Sequence, residues 1–402
     1  MGSEMSAEKG TRNRPPKSIA KDLDACLQCG YCRDVCPVFE QDPWESASPR
    51  GKVYMLKQLD RRGFMDRILS VFDREIKVTD DFVERVYWCT SCGMCEEECH
   101  VEIPFPELWE EVKAWLVEQG VAPLDAHRAF LKRVENVKNP FNEPESTRGD
   151  WSKEFLLSSK PEVMYYVGCT ESFRMQRIAK TTATVLKAAN VKFNVMGEEE
   201  WCCTSPLLRT GQKGLTESFA RHTQEQMRRS GANVMLTACA GCMATTKRDH
   251  TKAIGPLGYE VLHVAQYAEK LIEDGRLSFN RTIPRKVTYH DPCHLGRHAG
   301  VFEPPRNVIE SIPGIELVEM PRNRRKSRCC GAGAGFKAQF DEYAVNIAAG
   351  RVQDAIDVGS EQIITTCPFC AVNLNAGAKQ LGVRQPTIDL MQLILEALGP
   401  SV

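Results

Sequence analysis

VTYHDPC, residues 287–293, is a short apolar run that ends on a thiol, and it has three companions: VMYYVGC (163–169), VMLTAC (234–239) and IITTC (363–367). Each reads as a buried strand delivering a cysteine at its tip. LTESFARHTQEQMRRSG precedes VMLTAC and closes at Gly231, and the stretch through YAVNIAAGRVQDAIDVG precedes IITTC and closes at Gly359, as helices stopped by glycine do. Helix followed by buried strand, twice over, predicts an α/β fold with parallel sheets. Equivalent cysteines keep a nearly constant offset: Cys169 to Cys293 is 124 residues, Cys202 to Cys329 is 127 and Cys239 to Cys367 is 128. One unit of roughly 125 residues is therefore duplicated, each copy long enough for a core of its own. Open α/β sheets hold ligands at the carboxyl ends of their strands, where these cysteines fall.

All 18 cysteines belong to repeating patterns. Cys26, Cys29, Cys32 and Cys36 recur as Cys89, Cys92, Cys95 and Cys99; Cys169, Cys202, Cys203, Cys239 and Cys242 recur as Cys293, Cys329, Cys330, Cys367 and Cys370. A disulfide framework is the wrong reading, because such scaffolds are usually under about 80 residues and replace a missing core. This chain has 402 residues, 42% of them hydrophobic. Zinc ribbons use two CxxC pairs, whereas three cysteines at i, i+3 and i+6 with a fourth four residues on match the ferredoxin run that holds iron-sulfur clusters. In two-cluster ferredoxins the fourth cysteine of each run serves the other cluster. That rule assigns Cys26, Cys29, Cys32 and Cys99 to one 4Fe-4S cubane and Cys89, Cys92, Cys95 and Cys36 to the other. Pro37 follows the first run as in that signature, while His100 stands where the second would have proline. The insert between the runs, with SPRGKVYMLKQLDRRGFMDRIL and DDFVERVYW, repeats its apolar residues at three and four and predicts helices.

The organisation expected is a disordered tail over 1–18, a helical ferredoxin-like domain over 19–122, a surface linker over 123–160 around NPFNEPESTRGDW, and α/β units over 161–284 and 285–402. A net charge of −1 gives no field for nucleic acid. No apolar run reaches the ~18–20 residues that span a bilayer, and the polar start MGSEMSAEKGTRNRPP is no secretory signal. These features place the chain in a reducing cytosol, with any attachment to the inner face of the cell membrane made through a partner.

Each C-terminal unit offers five thiols, one more than a cubane uses. A more open iron-sulfur assembly and a cubane with a spare buried cysteine both fit the spacing. EEEWCCTSPLLRTGQ, ACAGC, TYHDPCHLGRHAGVFEPPR, RCCGAGAGF and TCPFC resemble the paired CCG-domain signature of the B-type polypeptide of heterodisulfide reductases, and the N-terminal module resembles the C-type polypeptide. Both in one chain, in this order, are similar to the D-type polypeptide of the membrane-associated heterodisulfide reductase of methanogens. The resemblance covers nearly everything after residue 22. It implies two noncubane 4Fe-4S clusters, one on Cys169, Cys202, Cys203, Cys239 and Cys242 and the other on Cys293, Cys329, Cys330, Cys367 and Cys370. It also implies that the coenzyme M-coenzyme B disulfide is cleaved between them, one electron at a time, with the two cubanes feeding the electrons in. The first copy departs from the family's Cys-Cys-Gly with Thr204, where the second keeps Gly331. Threonine is β-branched and poor at positive φ, so a pocket of different shape is expected there.

His290, His294, Arg297 and His298 surround Cys293 in sequence and are candidates for guiding protons or binding an anionic substrate, with satisfied structural groups as the plainer reading. RNRRKSR (322–328) reads as an anion site, a tuner of cluster potential, a dock for an acidic partner, or a solvated loop. GAGAG (331–335) lacks the Lys-Ser/Thr of a phosphate loop, and its glycines are expected to let backbone pass close to a cluster. Two functions follow. One is a catalytic role, reducing a small-molecule disulfide with electrons from a cytochrome b-type membrane partner or a soluble flavin or iron-sulfur partner. The other is a pure relay within a larger oxidoreductase, such as a benzoyl-coenzyme A reductase, a sulfate-reducer membrane complex, or a lactate or glycolate oxidase assembly.

Overall fold

The structure, a computed structural model, describes residues 14–60 and 78–399. The start of the tail (1–13) and the middle of the insert (61–77) lie outside the described residues.

The N-terminal module is helical. Pro49–Leu59 starts where Ser48 Oγ accepts from Gly51 N at 2.9 Å and Pro49 supplies a pre-set first turn. Asp80–Tyr87 starts on Thr79, whose Oγ1 accepts from Phe82 N at 3.2 Å. With Phe105–Glu118, these helices bury Val53, Leu56, Val83, Val86, Leu108, Trp109 and Val112 against one another, and the cysteine runs lie around that core.

Eight strands then form two parallel four-stranded sheets, the α/β architecture anticipated. β1 (Val163–Tyr165), β2 (Phe193–Val195), β3 (Val234–Thr237) and β4 (Glu260–His263) lie in the order β2-β1-β3-β4. β5 (Arg285–His290), β6 (Ile315–Leu317), β7 (Gln362–Thr365) and β8 (Thr387–Asp389) repeat it as β6-β5-β7-β8. Register pairs Val163 with Phe193 and Val234, and Val287 with Leu317 and Gln362. Cys169 and Cys239 follow the two central strands of the first sheet, and Cys293 and Cys367 follow those of the second.

The two sheets share one core. Val163, Tyr165 and Leu271 from one and Val287, Val308, Ile364 and Ile394 from the other form a single buried cluster. Helix Gln176–Ala188 packs on Leu390–Leu398, and Val264–Glu273 on Pro304–Glu310. At about 1.5–3 kcal/mol per buried aliphatic side chain, this shared surface binds the repeats into one body.

The expectation of a surface linker over 123–160 is corrected. Asp125–Val137 is a helix, Trp151 joins the shared core, and Arg148 and Asn139 are buried. The turn-rich composition reads as solvent-facing, but the turns wrap inward because Arg148 and Trp151 carry large surfaces that only the following unit can cover. A 3-10 turn over Lys17–Ile19 begins within the last residues of the stretch read as tail.

Candidate functional site

All eighteen cysteines are free thiols. Cys26, Cys29, Cys32 and Cys99 line one cavity, and Cys36, Cys89, Cys92 and Cys95 line a second. The two runs bend alike: Gln28 (φ 58°) and Gly30 (φ 95°) in the first match Ser91 (φ 49°) and Gly93 (φ 76°) in the second. This left-handed turn aims backbone N–H groups at sulfur, as Ser91 N does toward Cys89 Sγ at 3.3 Å. His100, in place of a proline, stands edge-on to Tyr31 with ring centres 4.8 Å apart.

In each C-terminal repeat the five cysteines are buried. Cys202 Sγ reaches hydrogen-bonding distance of Cys169 and Cys203, and Cys242 that of Cys203 and Cys239. Cys329 does the same with Cys293 and Cys330, and Cys370 with Cys330 and Cys367. Two further contacts join the sets. Cys239 meets Cys367 across the repeats, and Cys92 of the N-terminal module meets Cys329 of the second repeat.

These donor sets suit iron-sulfur clusters. Burial pushes Cys32 up to about 12 and Cys36 up to about 11, so these thiols stay protonated unless a cation takes the proton's place. Closely packed thiolates without a metal would repel one another strongly. Buried cations stand beside the sets, as a net-negative metal-thiolate group requires. Lys52 is 2% exposed, lies among Cys89, Cys36 and Cys95, and donates to Trp88 O. Arg148, 1% exposed, holds Nη1 and Nη2 3.7 and 3.6 Å from Cys169 Sγ. Arg297 is the cation beside Cys92, Cys293 and Cys329.

Arg148 also binds Glu145 (2.7 Å) and Glu200 (3.1 Å), and Glu200 accepts from Val167 N and Gly168 N at 2.8 Å each. Burial lifts Glu200 to about 7 against the pull of Arg148. In the second repeat Arg306 binds Asp291 at 2.7 Å and Glu319 at 2.5 Å. Lys52, Arg148, Glu200, Arg306 and Arg351 were missed from sequence. Glu200, in EEEWCCTSPLLRTGQ, and Arg306, at the end of TYHDPCHLGRHAGVFEPPR, lie in signature stretches, and Lys52, Arg148 and Arg351 do not.

The candidates around Cys293 separate. His294 Nδ1 is 3.3 Å from Cys293 Sγ, and burial depresses its basicity far below that of ordinary histidine. His298 Nε2 pairs with Ser91 O at 2.9 Å. Arg297 donates to Cys92 O (2.7 Å), Arg325 O (2.8 Å) and Ser327 O (2.8 Å), so it rivets the second repeat to the N-terminal module. His290 closes a cluster with Cys330 and Cys370.

The basic run is paired with carboxylates, while Arg325 and Lys326 stay largely exposed. Arg325 binds Glu97 (2.8 Å), Lys326 binds Glu98 (2.8 Å), and Arg328 binds Glu40 (2.6 Å) and Asp354 (3.1 Å). The acidic partner it docks is this chain's own N-terminal module. The GAGAG glycines are likewise explained by protein neighbours: a Cβ on Gly331 would lie 2.5 Å from Ala344 O, and one on Gly333 2.6 Å from Thr90 O. Thr204 takes positive φ despite its branch (66°, against 84° at Gly331), and each backbone N–H reaches a cysteine: Thr204 to Cys202 at 3.4 Å, Gly331 to Cys329 at 3.3 Å.

Residues 22–103 match the 4Fe-4S dicluster domain, and 163–247 and 287–375 each match the Cysteine-rich domain. The chain is 37% identical over 386 residues, 94% of each chain, to the D-type polypeptide of dihydromethanophenazine:CoB–CoM heterodisulfide reductase from Methanosarcina mazei. It is 29% identical to the B-type polypeptide of fumarate reductase (CoM/CoB) from Methanothermobacter marburgensis, over 90% of this chain and 70% of that one. A crystal structure of a hypothetical protein from Helicobacter pylori shares the fold at TM-score 0.55 and 10% identity, covering 96% of this chain and 74% of that one. No helix among the described residues is long and apolar enough to cross a membrane. The molecule is an iron-sulfur electron-transfer component of an oxidoreductase, and it belongs to the heterodisulfide reductase family, in its D-type branch.

Proposed function

We propose that this chain reduces a disulfide, the mixed disulfide of coenzymes M and B by its family, at the junction of two five-cysteine sets that each hold a noncubane 4Fe-4S cluster. Two cubanes, on Cys26, Cys29, Cys32, Cys99 and on Cys89, Cys92, Cys95, Cys36, supply the electrons. The observation that carries this is the succession of neighbouring cysteine sets from the surface to the junction of the repeats. Cys29 is exposed, which suits entry from a partner. Cys32 lies within electrostatic range of Cys36 and Cys95, Cys92 meets Cys329, and Cys367 meets Cys239.

Breaking one S–S bond to two thiols takes two electrons and two protons. When bound, iron-sulfur clusters pass single electrons and offer iron as a Lewis acid to a developing thiolate. The protein's part is placement. Lys52, Arg148 and Arg297 offset buried negative charge, burial excludes water, and Arg297 fixes the N-terminal module against the second repeat. A cytochrome b-type membrane partner or a flavin or iron-sulfur protein is the proposed donor, and docking to the inner membrane face would follow from it.

The test is an assay of the anaerobically purified protein with reduced viologen and the coenzyme M-coenzyme B disulfide. Turnover at about 16 irons per chain is expected. Full iron without turnover, partner present, would favour the second reading. That reading is a pure relay, and the likeness to a fumarate reductase component supports it. Half the iron would mean that the C-terminal repeats carry no clusters.

A further inference from the structure

His290 and Tyr166 hold the same place in the two repeats, each three residues before the first cysteine of its set. Both are 1% exposed. Their polar ends do different things. Tyr166 neighbours Cys203 and Cys242 but spends its hydroxyl proton on Trp201 O at 2.6 Å. His290 neighbours the corresponding Cys330 and Cys370, and a ring nitrogen and both Sγ atoms lie within 4.8 Å of one another.

Arg351 settles the tautomer. It is buried and tied to Asp354 Oδ2 (3.1 Å) and Ser327 Oγ (3.4 Å), and its Nε donates to His290 Nδ1 at 3.4 Å. A guanidinium only donates, so Nδ1 is the acceptor and the neutral ring carries its hydrogen on Nε2. That leaves an N–H for sulfur, and Cys330 is the thiol within hydrogen-bonding reach of His290. We infer that His290 donates this hydrogen bond to the sulfur of the second five-cysteine set and thereby raises the reduction potential of the cluster held there.

One-electron reduction places negative charge on the irons and sulfurs, and a fixed N–H dipole stabilises the reduced form more than the oxidised one. At its first cysteine each set has a polar contact to sulfur, Arg148 to Cys169 in the first and His294 to Cys293 in the second, so the repeats differ at the edge where Tyr166 and His290 stand. At the Cys330–Cys370 edge His290 offers an N–H, whereas at the matching Cys203–Cys242 edge Tyr166 gives its proton to Trp201 O. This inference rests on the second set holding a cluster, and it assigns His290 a tuning role on the cofactor in place of proton transfer to substrate.

The experiment poises anaerobic wild type, His290→Phe, His290→Gln and Tyr166→Phe at a series of potentials and reads the clusters by electron paramagnetic resonance, with iron measured on each sample. His290→Phe is expected to keep its iron and to move one midpoint to a more negative potential. His290→Gln, whose amide N–H reaches the Nε2 position, should restore most of the shift, and Tyr166→Phe should leave every midpoint in place. Full iron with unchanged midpoints in His290→Phe overturns the hydrogen bond alone. Loss of about four irons in His290→Phe overturns it in favour of a ligand or scaffold role. Half the iron in wild type overturns both this inference and the cluster reading beneath it.

Discussion

The two C-terminal repeats have the same strand order and the same five cysteines, yet they meet opposite demands at the residue after the Cys-Cys pair. Thr204 and Gly331 both take left-handed φ. Around Thr204 there is room for a side chain, and its hydroxyl donates to Cys203 O at 2.6 Å. Around Gly331 there is none, since Ala344 O stands 2.5 Å from where a Cβ would be and Asn373 Nδ2 3.2 Å from it. Asn373 donates there to Ala344 O at 2.8 Å and also to Cys330 O, so the neighbour cannot yield. A duplicated fold thus keeps its ligands while the packing around them diverges.

Exchanging these two residues probes the difference most sharply. Gly331→Thr should cost about 3 kcal/mol or more, combining backbone overlap with left-handed strain. It should also lower iron content toward three clusters. Thr204→Gly should change stability by less than about 1 kcal/mol, because relief of strain offsets added chain entropy and the lost hydroxyl bond. Chemical denaturation with iron analysis reads both. Equal effects would show that the repeats are interchangeable here.

A smaller effect separates His263 and Asp389, which end the last strand of each sheet and cap the following helix. His263 Nδ1 accepts from Ala265 N at 3.2 Å, and Asp389 Oδ1 from Met391 N at 2.9 Å. Burial lowers His263 from 6.5 to about 4 and raises Asp389 from 3.8 to about 7. The signs are opposite. The depressed histidine contributes stability that is lost as pH falls from about 6.5 to about 4, and the raised carboxyl contributes stability lost as pH rises from about 4 to about 7. Relative to wild type, Asp389→Asn should gain stability with rising pH and His263→Asn should lose it. Each slope approaches at most about 1.4 kcal/mol per pH unit. Unfolding midpoints across this range decide it, and parallel curves would mean the two caps are electrostatically alike.

The smallest effect concerns the clasp of Arg325 and Lys326 on the N-terminal module, which the first repeat meets through other pairs, Arg209 with Glu110 and Arg248 with Glu107. Arg325 and Lys326 are each 67% exposed, so their pairs with Glu97 and Glu98 are each worth under about 1 kcal/mol and weaken in salt. The double reversal Arg325→Glu and Lys326→Glu should lower the unfolding midpoint slightly at low salt and not at high salt. Reversing Glu97 and Glu98 to lysine in the same chain should restore it. A loss that persists in high salt would place the binding energy of this face elsewhere, with buried Arg297 as its first candidate.

Much of this site was legible because thiol ligation constrains sequence directly. Sulfurs that share a metal must leave one short turn of chain or the tips of neighbouring strands, so spacing exposes them. The buried cations were illegible for the converse reason. Arg148 meets Cys169 and Glu200 from positions 21 and 52 residues away, inside a stretch whose composition reads as surface turns. The RNRRKSR run was visible as charge but not as a clasp, because its partners Glu40, Glu97 and Glu98 lie more than 200 residues upstream.

The sequence by itself determined the α/β class, the duplication and the division of the cysteines into fours and fives, since periodicity and ligand spacing are local properties of the chain. Only the tertiary structure decided that the two sheets share a core, that both repeats pack on the N-terminal module through different side chains, and that His290 stands beside Cys330 and Cys370 where Tyr166 gives its proton to Trp201 O. Those outcomes depend on which distant side chains compete for the same buried space and the same hydrogen-bond partners, and such competition is settled only when the chain is folded.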